Sequence, residues 1–383
     1  MNRELYKRLG DYIREVDVRN RDLSVTTLLG VSISKEFIPS IANTIGTDMS
    51  TYKIVRKGQF AYGPVTSRNG DKVSIALHTK EEAAIISQAY TVFEIKDTNK
   101  LLPEYLMMWF RRPEFDRYAR FHSHGSAREI FDWDEMCDVS LPIPPIEQQR
   151  EIVAEYETLS KRIRLNEQMI SKLEETAQTL YRKMFVDGID KENLLEGWRM
   201  GKIREFCKQM TSGGTPNRND NKYWEKKEYR WLKSGEIHNN VIVDVEEYIS
   251  KEGLENSSAK LIPIGTISMA MYGATAAQIA YVDCETTTNQ ACCNMICNTK
   301  DDAAYLFFHL LANQENIKKL ANGGAQENLS QELIAQQPII IFDDDTIKTQ
   351  FKIILNDIIL KYRENKKLTE LQSLLLARMG QIK

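Results

Sequence analysis

His122 and His124 in the stretch FHSHG invite a metal or nuclease reading, because imidazole serves both as ligand and as general base. Neither has an obvious carboxylate or cysteine companion at ligand spacing, so a contact role in a loop is expected, and no metal. Cys284, Cys292, Cys293 and Cys297 contain no Cys-x-x-Cys pair, and the last three sit in QACCNMICN, which alternates like a strand. They read as buried thiols. No GxxxxGK[ST] phosphate loop is present; GWRMGKI has the wrong glycine spacing and no hydroxyl after its lysine, and reads as a structural turn. An Asn or Asp ahead of a Pro-Pro pair, as adenine methylation would require, is missing too, since Pro144-Pro145 follows Ile143. No glycine-rich methyl-donor pocket is apparent. The chain is expected to be non-catalytic and to carry no cofactor of its own.

The residue types that remain suit polar recognition. KQMTSGGTPNRNDNKYWEKKEYRWLKSGEI is dense in hydroxyls, amides and basic groups, with Trp224 and Trp231 interleaved. Gly213, Gly214 and Pro216 predict a tight turn exposing backbone N–H groups, and Thr211, Ser212, Thr215, Asn217, Arg218 and Lys233 supply donors for phosphates and base edges. GPVTSRNGDK places Ser67, Arg68, Asn69 and Lys72 on a hairpin tip with Asn-Gly turn chemistry. SHGSAREIF and NGGAQENLS form a third, duplicated loop, with His124 and Arg128 in one copy and Gln326 opposite Arg128 in the other. Tyr62 and Tyr272, each just before a glycine in the echoing stretches KGQFAYGPV and IGTISMAMYGAT, join the candidates. Arg pairs with guanine and Asn or Gln with adenine, so such loops could read sequence. The plainer account is ordinary polar turns.

A net charge of −3 looks unfavourable for nucleic acid, yet it averages opposed segments. Residues 53–72 hold five basic groups against one acidic, 111–128 five against two, and 208–233 seven against three. Clusters of that kind are compatible with a surface that grips phosphate on one side.

What positions these loops is a duplication. LYKRLGDYI is echoed by GWRMGKIREF, PEYLMMWFRR by AAYLFFHLLAN, and HGSAREIFDWDEM by NGGAQENLSQELI, at a spacing of about 200 residues. Each copy ends in an extended apolar piece, VSLPIPP or QPIIIF, followed by a long helix. The prolines at 142, 144 and 145 forbid an earlier helix start, and the residues after Ile146 favour helix. In the first helix Ile152, Tyr156, Leu159, Ile163, Asn166, Ile170, Leu173, Ala177, Leu180 and Met184 step by four and three without a break, the spacing of a coiled coil. In the second, Ile347, Phe351, Ile354, Ile358, Lys361, Asn365, Leu368, Gln372, Leu375 and Met379 do the same, with Leu355, Ile359, Leu371 and Leu374 able to carry part of the contact. Asn166 and Asn365 either set register from within the seam or touch water at its edge.

A seam this long needs another helix: the other rod, a partner's helix, or both. From Ile152 to Met184 the rod spans roughly 50 Å at ~1.5 Å per residue, between one and two turns of B-DNA at ~34–36 Å each. The expected fold is α+β: two similar globular domains, 1–145 and 191–345, joined by helices 146–190 and 346–383 in an antiparallel coiled coil. No apolar run approaches the roughly 18 residues of a membrane helix, and the N-terminus lacks a signal-peptide core. Six unevenly placed cysteines argue against a disulfide framework, and a cytoplasmic protein is expected.

The succession of LGDYI, SGGTP, RWLKSGEI, LPIPPIEQQREIV and LNEQMISKLEETAQTLYRKMF resembles the specificity (S) subunit of Type I restriction–modification systems across essentially the whole chain. The resemblance implies two target recognition domains, each reading half of a split sequence in double-stranded DNA. It implies rods that set the gap and dock two methyltransferase (M) subunits, joined by restriction/translocase (R) subunits. S-adenosylmethionine, ATP and Mg would sit on those partners. Two departures stand out: SGGTP has no counterpart in the first copy, and FDDDTIKTQ replaces PPIEQQ at the second junction. The alternatives are a coiled-coil scaffold whose globular units bind proteins, and a self-contained nuclease or methyltransferase with a disguised site.

Overall fold

A computed structural model describes residues 6–40, 46–67, 69–70, 72–125, 128–190, 192–323 and 328–381. Arg68 and Gln326 lie outside the described residues. The chain mixes helices and sheets and divides into two compact units, Met1–Arg162 with Leu368–Lys383, and Ile163–Lys367.

In the first unit an antiparallel sheet runs in the order Ile13–Val16, Thr91–Ile95, Phe60–Tyr62, Ile75–Leu77. Phe60 stacks on Phe93 across the sheet at 4.8 Å. Helix α1 (Pro103–Phe110) covers them and buries every residue from Tyr105 to Phe110. Proline at its first position costs no hydrogen bond there. Pro113 then forces Arg112 into extended geometry, which ends α1 and starts α2 (Pro113–Phe121) in a new direction. Helix α3 (Trp133–Asp138) is capped by Asp132, which accepts from Glu135 N at 2.9 Å. Tyr6–Arg8 and Ser140–Pro142 pair antiparallel, and the Tyr105 hydroxyl donates to Pro142 O at 3.0 Å.

The second unit keeps this frame and enlarges it. Its central sheet runs Gln209–Ser212, Cys292–Ile296, Thr266–Ala270, Ile279–Val282, Asn240–Ile242, the last pair parallel. A further sheet holds Glu247–Ile249, Tyr229–Leu232, Thr286–Thr288 and Leu261–Ile262. Short helices α5 (Ile203–Phe206), α6 (Lys251–Glu255) and α8 (Gln331–Ala335) accompany the long α7 (Lys300–Lys319), an unbroken version of α1 and α2. Arg199–Lys202 pairs with Pro338–Ile341, and the Tyr305 hydroxyl donates to Ile340 O at 2.9 Å, repeating the Tyr105 bond.

Helices α4 (Ile146–Phe185) and α9 (Asp345–Met379) each contribute to both units. In the first unit Val153 and Tyr156 share a core with Leu376 and Met379, and Gln372 donates to Ser160 Oγ at 2.7 Å. In the second, Ile170, Ala177, Tyr181 and Phe185 pack with Phe351, Leu355, Ile358 and Ile359. Rising numbers on α4 meet falling numbers on α9 in each unit, so the segments pair antiparallel. Of the seam positions, Tyr156, Asn166, Ile170, Ala177, Phe351, Ile358 and Met379 are buried, and the others, among them Ile152, Leu159, Ile163, Leu173, Leu180, Ile354, Asn365, Leu368 and Leu375, are half-buried. Val153, Tyr181, Phe185 and Leu376 are buried as well. They widen the stripe because these turns face a globular core besides the other helix. Leu355 and Ile359 carry contact, whereas Leu371 and Leu374 point outward. Asn166 Nδ2 donates to Asn365 Oδ1 at 2.8 Å, so the two amides meet within the seam.

Candidate nucleic-acid interface

Two loops singled out in the first unit form one surface. As strand Phe60–Tyr62 runs out, Pro64 O accepts from Phe131 N at 2.9 Å and Thr66 N donates to Glu129 O at 3.0 Å. Val65 and His124 both bridge to Ile130, and the Thr66 and Ser123 hydroxyls bond at 3.0 Å. Gly125, at φ +137°, is required: a Cβ there would stand 2.1 Å from Arg128 O. Ser67, Lys72, His124 and Arg128 are exposed and Asn69 is half-buried, its amide donating to Val65 O at 3.3 Å.

Tyr62 is a correction. It is fully buried, edge-on to Phe93 and Phe131, because strand alternation puts it on the core face with Phe60. The histidines need a second one. They do have a carboxylate companion: Glu135, on α3, lies 2.9 Å from His122 Nδ1 and 3.6 Å from His124 Nε2. Sequence spacing missed it because the helix start folds it back onto the loop.

In the second unit the SGGTP glycines pack closely against their neighbours, Gly213 half-buried and Gly214 buried. A Cβ on Gly213 would stand 2.0 Å from Thr288 O, and one on Gly214 2.1 Å from Ser258 Oγ. Gly214 N donates to Thr288 O at 2.9 Å, and Gly214 O accepts from Trp231 Nε1 at 2.9 Å. The motif is a close-packing device. Thr211 is buried, with its hydroxyl turned to Ser212 O. Ser212 Oγ donates to Gln331 Oε1 at 2.9 Å, and the Thr215 hydroxyl bonds Gln290.

Beyond the motif the chain turns outward. Asn217 is exposed and closes a small turn by accepting from Asn219 N at 3.1 Å. The Arg218 guanidinium lies 3.8 Å from the Trp224 ring and 4.5 Å from the Trp231 ring, and pairs with Glu247. Lys233 reaches Glu246 and Glu247, each at 2.9 Å, and these bonds raise its pKa. Burial pushes Glu247 up, but its bonds to Arg218 and Lys233 outweigh that and hold it below the usual carboxylate range. Tyr272 is 43% exposed and bridges to Asn328. Its counterpart in the first unit is Val65, since Leu329 N to Met271 O at 2.8 Å repeats Phe131 N to Pro64 O. The echo that equated Tyr62 with Tyr272 was out of register.

The sequence matches, over residues 36–175 and again over 195–373, the family described as the Type I restriction modification DNA specificity domain. The chain belongs to this family. The HindI Type I restriction enzyme specificity subunit of Haemophilus influenzae is 23% identical over 408 residues, covering 85% of this chain and 86% of that one. The EcoR124I/EcoR124II specificity subunit of Escherichia coli is 25% identical over 186 residues, covering 46% and 42%. The crystal structure of the Type-I restriction-modification system S subunit from M. genitalium shares the fold at a TM-score of 0.56 and 11% identity, covering 98% of this chain and 95% of that one. A DNA specificity subunit accounts for the duplication of the frame.

Sequence reasoning passed over one exposed residue beside the first unit's loops. Phe121, at the end of α2, is 81% exposed. Phe115 and Ala119 of the same helix are buried, and Phe121 lies about 240° around the helix from Phe115 at ~100° per residue. A helical-wheel count would have placed it outside.

Proposed function

We propose that each unit reads one half of a split DNA sequence and that the chain itself catalyses nothing. Methyl transfer to adenine N6 and DNA cleavage belong to partner subunits, two methyltransferase and further restriction/translocase chains, which hold S-adenosylmethionine, ATP and Mg. One observation carries this reading: the units share a frame, down to the matching Tyr105 and Tyr305 bonds, but carry unlike polar loops. Two readers with different targets need that combination. Recognition modules 1–145 and 191–345 would then act in the cytoplasm, linked by helices 146–190 and 346–383.

Within this reading Lys72 meets phosphate, Arg128 and Arg218 suit guanine, and Asn69 and Asn217 suit adenine. The tryptophans and Glu247 hold Arg218 in place, which limits the rotamer freedom it loses on meeting a base. Helices α4 and α9 serve as the docking surface for methyltransferase helices, with Leu371 and Leu374 in the first unit and Ile353 and Leu360 in the second turned outward. Helix length sets the gap. Removing seven residues from each helix shortens it by about 10 Å, or roughly 3 bp. Sequencing of methylated adenines in a host carrying the shortened chain with its methyltransferase should show the same half-sites at a smaller gap; an unchanged gap would overturn the ruler role.

A further inference from the structure

Phe121 is the most exposed large apolar side chain among the described residues, at 81%. A lone exposed apolar residue is ordinary on a protein surface. This one differs in what supports it and in what surrounds it. Its ring meets the His122 imidazole edge-on at 5.2 Å; His122 stacks on Tyr118 at 4.2 Å; Tyr118 meets Phe131 at 6.2 Å, and Phe131 is fully buried. Glu135 holds His122 at 2.9 Å from the other side. The ring thus sits on a column of aromatic contacts rooted in the core.

Around it the surface is basic. Lys72, Arg111, Arg117 and Arg120 line, with Phe121, a cleft of about 720 Å³. The acids nearby are already engaged. Asp116 is bound by Lys35 Nζ at 2.7 Å and by Val73 N at 3.1 Å. Arg117 and Glu114, and Arg120 and Glu129, form exposed pairs that a phosphate can replace at small cost. The His124 and Ser67 loops adjoin the end of α2 through the Thr66–Ser123 bond.

We propose that Phe121 is an aromatic wedge of the first unit, inserting at a base step of the bound duplex while the flanking arginines hold the phosphates. The proposal rests on the DNA-reading function above and adds to it a deformation of the duplex at a position where no base edge is read.

The test uses the chain assembled with its methyltransferase subunits and duplexes carrying its methylated site, with 2-aminopurine placed in turn along the first half-site. Wild type should brighten one position besides the target adenine, which the methyltransferase itself takes out of the stack. Phe121→Ala should abolish that signal and weaken binding to intact duplex about tenfold, with the salt slope unchanged. On a duplex whose bright step carries a mismatch, where stacking is already broken, the loss should shrink to about threefold or less. Arg117→Ala and Arg120→Ala keep the ring and should instead weaken every sequence alike and lower the salt slope by about one each. Equal affinity and an unchanged signal in Phe121→Ala, with wild type still binding its site, overturns the wedge alone. Loss of methyltransferase subunits from Phe121→Ala on size exclusion also overturns it, assigning the ring to a protein contact. Failure of wild type to prefer its own site overturns the DNA-reading function itself.

Discussion

Both units must hold the first turn of a long helix against the start of a buried one, and they do it with different chemistry. In the first, Gln149 is fully buried: its Oε1 accepts from Leu102 N at 2.9 Å, and its Nε2 donates to Lys100 O at 2.9 Å and Pro144 O at 2.8 Å. In the second, Lys348 reaches Asp302 at 2.8 Å, both side chains nearly buried, and Lys352 reaches Asp301 at 2.7 Å. A neutral amide satisfies an orphan N–H at the head of α1, whereas carboxylates favoured by the head of α7 are matched with lysines. The junctions PPIEQQ and DTIKTQ, which look unrelated in sequence, perform one task.

If that equivalence is right, the two anchors should fail unequally. Asp302→Ala leaves Lys348 buried without its partner and should cost about 3–5 kcal/mol. Gln149→Ala leaves neutral groups unsatisfied and should cost about 2 kcal/mol. Denaturant unfolding checks both, and equal losses would mean that the charged anchor is no stiffer than the neutral one.

A second contrast is titratable. His309 occupies in α7 the place of Trp109 in α1. It is buried, its pKa is pushed down to about 4 by desolvation, and its Nδ1 lies 2.7 Å from the Tyr181 hydroxyl. A histidine depressed on folding contributes stability above pH ~6.5 that is lost as pH falls toward 4, up to about 3 kcal/mol. Stability measured from pH 7 to 4 in wild type and His309→Gln, which keeps an acceptor for Tyr181, should diverge in slope across that window. Parallel curves would remove the histidine from the account.

The smallest effect lies in the amide pair. Asn365→Leu alone strands Asn166 and should cost about 1–3 kcal/mol, while leucine at both positions should be neutral or stabilising. A double variant less stable than the single one would show that the pair supplies more than register.

The parts of this fold that were legible in the sequence are those encoded locally. The four-three stepping of α4 survives in the burial of Tyr156, Asn166 and Ile170, and the Tyr-Leu echo of α1 and α7 marks the same bond in both units. Less legible was whatever depends on a distant neighbour. Glycines 213 and 214 look like an open turn until Thr288 and Ser258 arrive beside them. Tyr62 resembles Tyr272 until strand pairing sets the register. Glu135 joins the histidines only once α3 has folded.

The first unit is completed by the last turns of α9. Leu376 and Met379 close the same core as Val153 and Tyr156, and the Tyr6 hydroxyl bonds Gly380 O at 2.9 Å. On a ribosome adding ~5–20 residues per second, more than 200 residues separate Arg162 from that closure, a delay of about 10–40 s. The half made first is therefore finished last, and through that interval the side that Leu376 and Met379 will fill stays open.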